Sequence, residues 1–98
     1  MMVDYVLSNR AEKDLIDIWQ YTFNRWSREQ ADIYTRKLLN ACAFISTAPD
    51  LLGLPYDHVL SAYRAFPVGK HLVFYKVLND KVFVVRILHQ SMDVGRYL

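Results

Sequence analysis

Apolar residues in the first half of the chain recur at helical spacing. Ala11, Leu15, Ile18, Trp19, Thr22 and Trp26 return every three or four positions, and Glu12, Lys13, Asp14 and Asp17 fill the remaining face, the pattern of an amphipathic helix. Before it, Val3 to Leu7 alternates like a short strand, and Ser8 stands where a hydroxyl can cap the helix. The helix breaks at Trp26-Ser27. Ser27-Arg28-Glu29-Gln30 then has the spacing in which serine caps the third amide of a new helix and glutamine reaches back. The second stripe runs Ala31, Tyr34, Leu38, Ala41, Cys42 and Ile45, and it stops near Ala48 because Pro49 disfavours helical geometry in the residue before it. So short a connection predicts an antiparallel helical hairpin.

The period then changes. From Pro49 to Ser61, Pro, Asp and Gly recur without periodicity, which predicts a connecting loop. Three segments rich in β-branched and aromatic residues follow as strands: Ala62 to Phe66, Lys70 to Leu78 and Lys81 to His89. Pro67-Val68-Gly69 is expected to turn the first hairpin and Asn79-Asp80 the second, and Ser91 to Leu98 reads as a final helical turn or a loose end. The sum is an α+β domain of order β-α-α-β-β-β, with an N-terminal strand and an antiparallel helical hairpin packed on one face of an antiparallel β-sheet. Strand alternation puts Phe83, Val85 and Ile87 on one face and Val84 and Arg86 on the other, with the arginine face away from the helices. Val82 and Leu88 are expected there too, which makes an apolar, basic surface that a second protein could fill.

Composition narrows the classes. The 98 residues fit one domain, 1–98, and 53% hydrophobic with 14% aromatic residues leaves more apolar surface than so small a fold can bury, which suggests a partner. A net charge of +2 lacks the basic surplus of a protein held to nucleic acid by many phosphate contacts. No charged leader precedes an apolar stretch, and no run approaches the roughly 18 apolar residues of a membrane span. A cytoplasmic protein with no membrane partner is expected. Cys42 has no second cysteine to pair with and lies in a helical stripe, so it reads as a small buried hydrophobe.

His58, His71 and His89 share no ligand spacing with cysteine, and Gly53, Gly69 and Gly95 are isolated, so neither a metal site, a phosphate loop, a cofactor nor a small-molecule substrate is expected. Arg64, His71, Arg86 and His89 are the residue types of a ribonuclease, in which cations hold the scissile phosphate and a histidine moves protons. Against catalysis, His71 is mostly neutral at pH 7 and only Lys70, Lys76 and Lys81 flank it. Structural or partner-facing roles are favoured for these residues, and core anchoring for Trp19 and Trp26.

Trp26-Ser-Arg-Glu-Gln30-Ala31-x-x-Tyr34, the Tyr63-Arg64 pair, Gly69-Lys70-His71-Leu72-Val73-Phe74-Tyr75 and Arg86-Ile87-Leu88-His89-Gln90-Ser91-Met92-Asp93-Val94 together resemble the ParE toxins of the RelE/ParE superfamily of bacterial toxin-antitoxin modules. The resemblance begins at Ala11-x-x-Asp14-Leu15-x-x-Ile18 and covers nearly the whole chain. Where many ParE sequences have glycine, this chain has Ser27 and Ala62. RelE-like members are ribosome-dependent messenger-RNA endonucleases and commonly place an arginine where His71 stands, so the resemblance favours ParE. It implies a non-enzymatic toxin that poisons DNA gyrase, a ParD-like antitoxin whose carboxy-terminal segment folds along the toxin, and operator DNA reached only through that antitoxin. Candidates for target binding or toxicity are Arg64, His71, Arg86, His89, Met92, Asp93 and Arg96. Candidates for antitoxin binding are Trp19, Trp26, Tyr34, Tyr75 and Val84. The alternative is a RelE-like endonuclease.

Overall fold

A computed structural model of the chain describes residues 5–55 and 63–98. Val3 and Asp4 of the first expected strand, most of the second half of the expected loop, His58 and Ala62 lie outside them. The elements are β1 (Tyr5–Leu7), α1 (Asn9–Arg25), α2 (Arg28–Thr47), α3 (Pro49–Leu52), β2 (Leu54–Pro55), β3 (Arg64–Val68), β4 (His71–Leu78), β5 (Lys81–His89) and α4 (Val94–Tyr97). Both predicted caps form: Ser8 Oγ accepts from the Ala11 N–H at 3.0 Å and Ser27 Oγ from the Gln30 N–H at 3.1 Å.

The sheet is five-stranded and mixed, in the order β1-β5-β4-β3-β2. β3 to β5 are antiparallel as expected from the hairpins, β2 adds an antiparallel edge beside β3, and β1 joins at the far edge parallel to β5, with Val6 opposite Phe83. The helices between β1 and β5 supply the long crossover that a parallel pair requires. At Asn79-Asp80 both residues have positive φ, 51° and 63°, the turn that matches the twist of a two-residue hairpin.

Two expectations about the connections are corrected. The segment after Pro49 is not all loop: Pro49 starts α3, where its missing N–H costs nothing, and Leu54-Pro55 pairs with Ala65 and Arg64 as β2. The first β-hairpin turns at Gly69-Lys70, one step later than expected, and Pro67 and Val68 belong to β3. Pro67 is tolerated because β2 reaches only to Ala65, so no neighbour on that side asks it for an N–H. Gly69 takes a φ of 57° at the turn.

The core between helices and sheet holds Ala11, Leu38, Cys42, Ile45, Val68, Val73, Tyr75, Val82, Val84 and Ile87. Cys42 is a core residue, and burial pushes its thiol up to about 11, which leaves little thiolate. Val82 and Val84 therefore face the helices, against the alternation read from the sequence. A bulge is the reason. Phe74 pairs with Arg86 and Tyr75 with Val84, so Val85 is an extra residue and the parity of β5 changes across it. The opposite face is also not left open. Ala65, Phe74, Leu88 and Val94 form a second buried cluster with Leu72, Val85 and Leu98 against it, so the chain's own C-terminal turn fills the surface expected to take a partner.

Candidate functional site

Asp14 and Arg86 organise the region around α1 and the end of β5. The Arg86 Nε and Nη2 groups donate to the two Asp14 carboxylate oxygens at 2.7 and 2.8 Å, a bidentate fork, and Nη1 donates to the Tyr97 carbonyl at 2.8 Å. The Ile87 N–H also donates to Asp14, at 3.0 Å. β1 ends at the level of Val84, so past that point a side chain from α1 takes the place of a neighbouring strand. The hydrogen bonds that Arg86 donates to Asp14 outweigh burial and raise its pKa above the ordinary value. One guanidinium thus ties α1, β5 and α4 together.

A groove of about 440 Å³ opens beside this pair, lined by Asp14, Asp17, Ile18, Tyr21, His71, Ile87, His89, Ser91 and Met92. β4 and β5 bring the two histidines together, since His71 pairs with His89 in register and their rings meet edge-on with centroids 5.3 Å apart. The Tyr34 hydroxyl lies 2.6 Å from His71 Nδ1 and accepts from the Lys70 N–H at 3.3 Å. The hydroxyl also lies 3.4 Å from the Val68 carbonyl, so its one proton serves either that oxygen or His71 Nδ1, and the tautomer of the neutral ring follows that choice. On His89, Nδ1 accepts from the Ser91 N–H at 3.1 Å and lies 2.7 Å from Ser91 Oγ. Burial first, then the neighbouring His89, lowers the His71 pKa to about 4, and Asp14 opposes them.

That depression has a stability consequence. Folded His71 stays neutral down to about pH 4, whereas the unfolded residue gains its proton near 6.5. The contribution is complete above pH 6.5 and is lost as pH falls toward 4, because there the unfolded state binds more protons. The ring is only partly buried, so the full shift is discounted for solvent screening to about 1–2 kcal/mol. Urea midpoints measured between pH 7.5 and 5 should fall in the natural protein and change much less in His71→Asn; parallel curves would refute this.

The other candidates are dispersed. Met92 lines the groove, while Asp93 and Arg96 are exposed at the start of and within α4. Arg64 donates to the Gly53 carbonyl, and its register partner Tyr75 belongs to the helix-facing core, whereas Phe74, opposite Arg86, belongs to the other cluster. The two arginines therefore sit on opposite faces and do not form one phosphate site. Tyr75 and Val84 are 0% exposed, so they are core residues rather than contact residues for a partner. Of the remaining partner candidates, Tyr34 is occupied with His71, and Trp19 stacks on Phe23 with ring centroids 5.2 Å apart. Trp26 is 73% exposed, not the core anchor its spacing suggested.

Asp14, Tyr21 and Ser91 were absent from the candidates. Asp14 reads as one charge on a polar helix face, and its partner lies 72 residues away; only the fold shows that it faces the sheet edge. Among the described residues no cluster of three or more His, Cys, Asp or Glu could hold a metal, and no helix is long and apolar enough to cross a membrane.

A helical hairpin on this five-stranded sheet is the fold of toxins from bacterial toxin-antitoxin complexes. The chain superposes with a TM-score of 0.79 on a chain of the chromosomal ParDE system of P. aeruginosa, covering 90% of this chain and 96% of that one at 13% identity. For the RelBE2 toxin-antitoxin complex of Mycobacterium tuberculosis the TM-score is 0.64, with 91% and 99% covered at 16% identity. The model of the ParE toxin of the type II toxin-antitoxin system parDE matches residues 5–94. Toxin ParE1 of Caulobacter vibrioides is 41% identical over 97 residues, 99% of each chain, and Toxin ParE1 of Mycobacterium tuberculosis is 39% identical over 95 residues, 96% of each. The chain belongs to the ParE toxin family of type II toxin-antitoxin systems.

Proposed function

We propose that this toxin acts in the cytoplasm by binding DNA gyrase and trapping its cleaved-DNA complex, without chemistry of its own, and that a ParD-like antitoxin neutralises it. The groove carries the reading: two carboxylates and no lysine or arginine line it among the described residues, while Arg64 and Arg86 are engaged with Gly53 and Asp14. A scissile phosphate needs cations where its charge develops. A binding surface does not, and the exposed Ile16, Tyr21, Phe23 and Trp26 supply apolar contact area on α1 and at its C-cap. The ParDE and RelBE complexes among the structural neighbours support a protein antitoxin as the partner. In a supercoiling assay with purified gyrase, the toxin should produce linear, cleaved DNA, and prior mixing with antitoxin should prevent it. Unimpaired supercoiling and no cleavage at several-fold molar excess would sink the proposal.

A second reading, a RelE-like ribosome-dependent messenger-RNA endonuclease, draws support from His71, His89 and Tyr21 sharing one groove. It expects messenger cleavage at the ribosomal A site that disappears in His89→Ala. Intact messenger during growth arrest removes it.

A further inference from the structure

The groove beside the Asp14–Arg86 pair combines apolar walls with one carboxylate that the fold leaves accessible. Ile18, Ile87 and Met92 line it, and its volume of about 440 Å³ falls among the roughly 300–1,000 Å³ of pockets that enclose a whole small ligand. An extended side chain and a neighbour fit such a space. Asp14 is already committed, because its two oxygens accept from Arg86 Nε, Arg86 Nη2 and the Ile87 N–H. Asp17 is not. Its side chain is 61% exposed and pairs at 3.0 Å with Lys13, which is 75% exposed. A surface pair of this kind contributes little, so another cation can take the place of Lys13.

An aromatic ring stands beside this carboxylate. Tyr21 follows Asp17 by one helical turn, so the two share a row on α1. Arg25 Cζ lies 5.7 Å from the centroid of the exposed Tyr21 ring without itself lining the groove. The ring thus already attracts one guanidinium and still borders the groove. No opposing charge comes from the floor: His71 stays neutral down to about pH 4, and Arg86 is neutralised by Asp14. Such a site repels the phosphates of DNA and draws in a cation.

We propose that this groove docks a basic side chain of the target protein, its aliphatic stem along Ile18, Ile87 and Met92 and its charged head between Asp17 and Tyr21. The inference rests on gyrase as the target and adds the chemical group that the groove reads. Long basic side chains bury their stems while the head stays at the surface, and the flexible thioether of Met92 adapts to the stem that arrives. Arginine gains more here than lysine, since its planar head both forks a carboxylate and stacks on an aromatic ring.

Toxin titrated into purified gyrase with supercoiled DNA gives, for each variant, the concentration that produces half-maximal cleavage. Asp17→Asn should raise that concentration roughly 10-fold, and by less at high salt. Asp17→Glu keeps the charge and should recover most of the loss. Tyr21→Leu should raise the concentration roughly fivefold. Lys13→Ala removes the competitor for Asp17 and should not raise it. Asp80→Asn, which deletes an acid at the β4–β5 turn, should leave it unchanged. Asp17 and Tyr21 are exposed, so circular dichroism and thermal midpoints of their variants should match those of the natural toxin. Folded Asp17→Asn and Tyr21→Leu proteins as potent as the natural toxin would overturn the proposal and leave gyrase as the target. A loss in Asp17→Asn that Asp17→Glu shares in full would also overturn it, because charge would then not be what the groove reads. No cleavage by the natural toxin at several-fold molar excess overturns both.

Discussion

Arg86→Met should lower the unfolding free energy by about 3 kcal/mol, and Asp14→Ala should lower it further. The Asp14 and Arg86 side chains are only 12% and 13% exposed, so removing one partner strands the other's charge away from water. The two variants differ because Asp14 also accepts the Ile87 N–H. Methionine at position 86 keeps most of the side-chain volume and leaves one carboxylate without its ion pair; alanine at position 14 leaves the guanidinium with the Tyr97 carbonyl and no counter-charge, and the Ile87 amide without that acceptor. Asp14→Asn should fall between Asp14→Ala and the natural protein, since an amide oxygen can still receive the Ile87 N–H. Urea unfolding of the three variants gives the order directly. Amide exchange adds a readout specific to the tie: without the bond from Arg86 to the Tyr97 carbonyl, amides of α4 should exchange faster than those of α2. Midpoints equal to that of the natural protein in all three variants would show that the pair contributes nothing net.

Gly53→Ala should cost a comparable amount, about 3 kcal/mol or more, for a steric reason. A Cβ at Gly53 would lie 2.3 Å from the Tyr75 hydroxyl and 2.8 Å from two of its ring carbons, and Tyr75 is fully buried and cannot swing aside. The φ of Gly53 is −88°, which any residue adopts, so strain in the backbone is not the cause. The same hydroxyl accepts from the Gly53 N–H at 2.9 Å and donates to the Pro49 carbonyl at 2.7 Å. Tyr75→Phe removes both bonds and should cost about 2–3 kcal/mol, because two buried backbone groups lose their partner. Combining Tyr75→Phe with Gly53→Ala should cost less than the sum of the two single changes, since deleting the hydroxyl removes the closest clash. Strict additivity in thermal or urea unfolding would show that the contact is not what holds α3 and β2 in place.

Much of the fold was legible in local patterns. The stripe from Ala31 to Ile45 marked α2, Ser8 and Ser27 marked the caps, and Asn79-Asp80 marked a hairpin turn, because each of these signals lies within a few residues along the chain. The candidate site was legible in part. His71 and His89 were picked out as histidines in apolar strands, and the register of β4 with β5 brings them to one groove. The missed features share one property, sequence distance. Asp14 meets Arg86 across 72 residues and Tyr34 meets His71 across 37.

What the amino-acid order determined by itself was the set of elements and their amphipathic character. The bulge at Val85 was decided only in three dimensions, since it arises from how β4 and β5 fit together, and one extra residue reversed which side chains of β5 meet the helices. The surface left for a partner was decided there too. Val94 and Leu98 fold back over the far face of the sheet, so the apolar surplus visible in the composition comes to rest on the outer sides of the helices and on α3 and β2, where Ile16, Phe23, Phe44, Leu51 and Leu54 are exposed. A chain this small cannot cover every apolar residue, and which ones stay exposed depends on where β1 and the C-terminal turn pack.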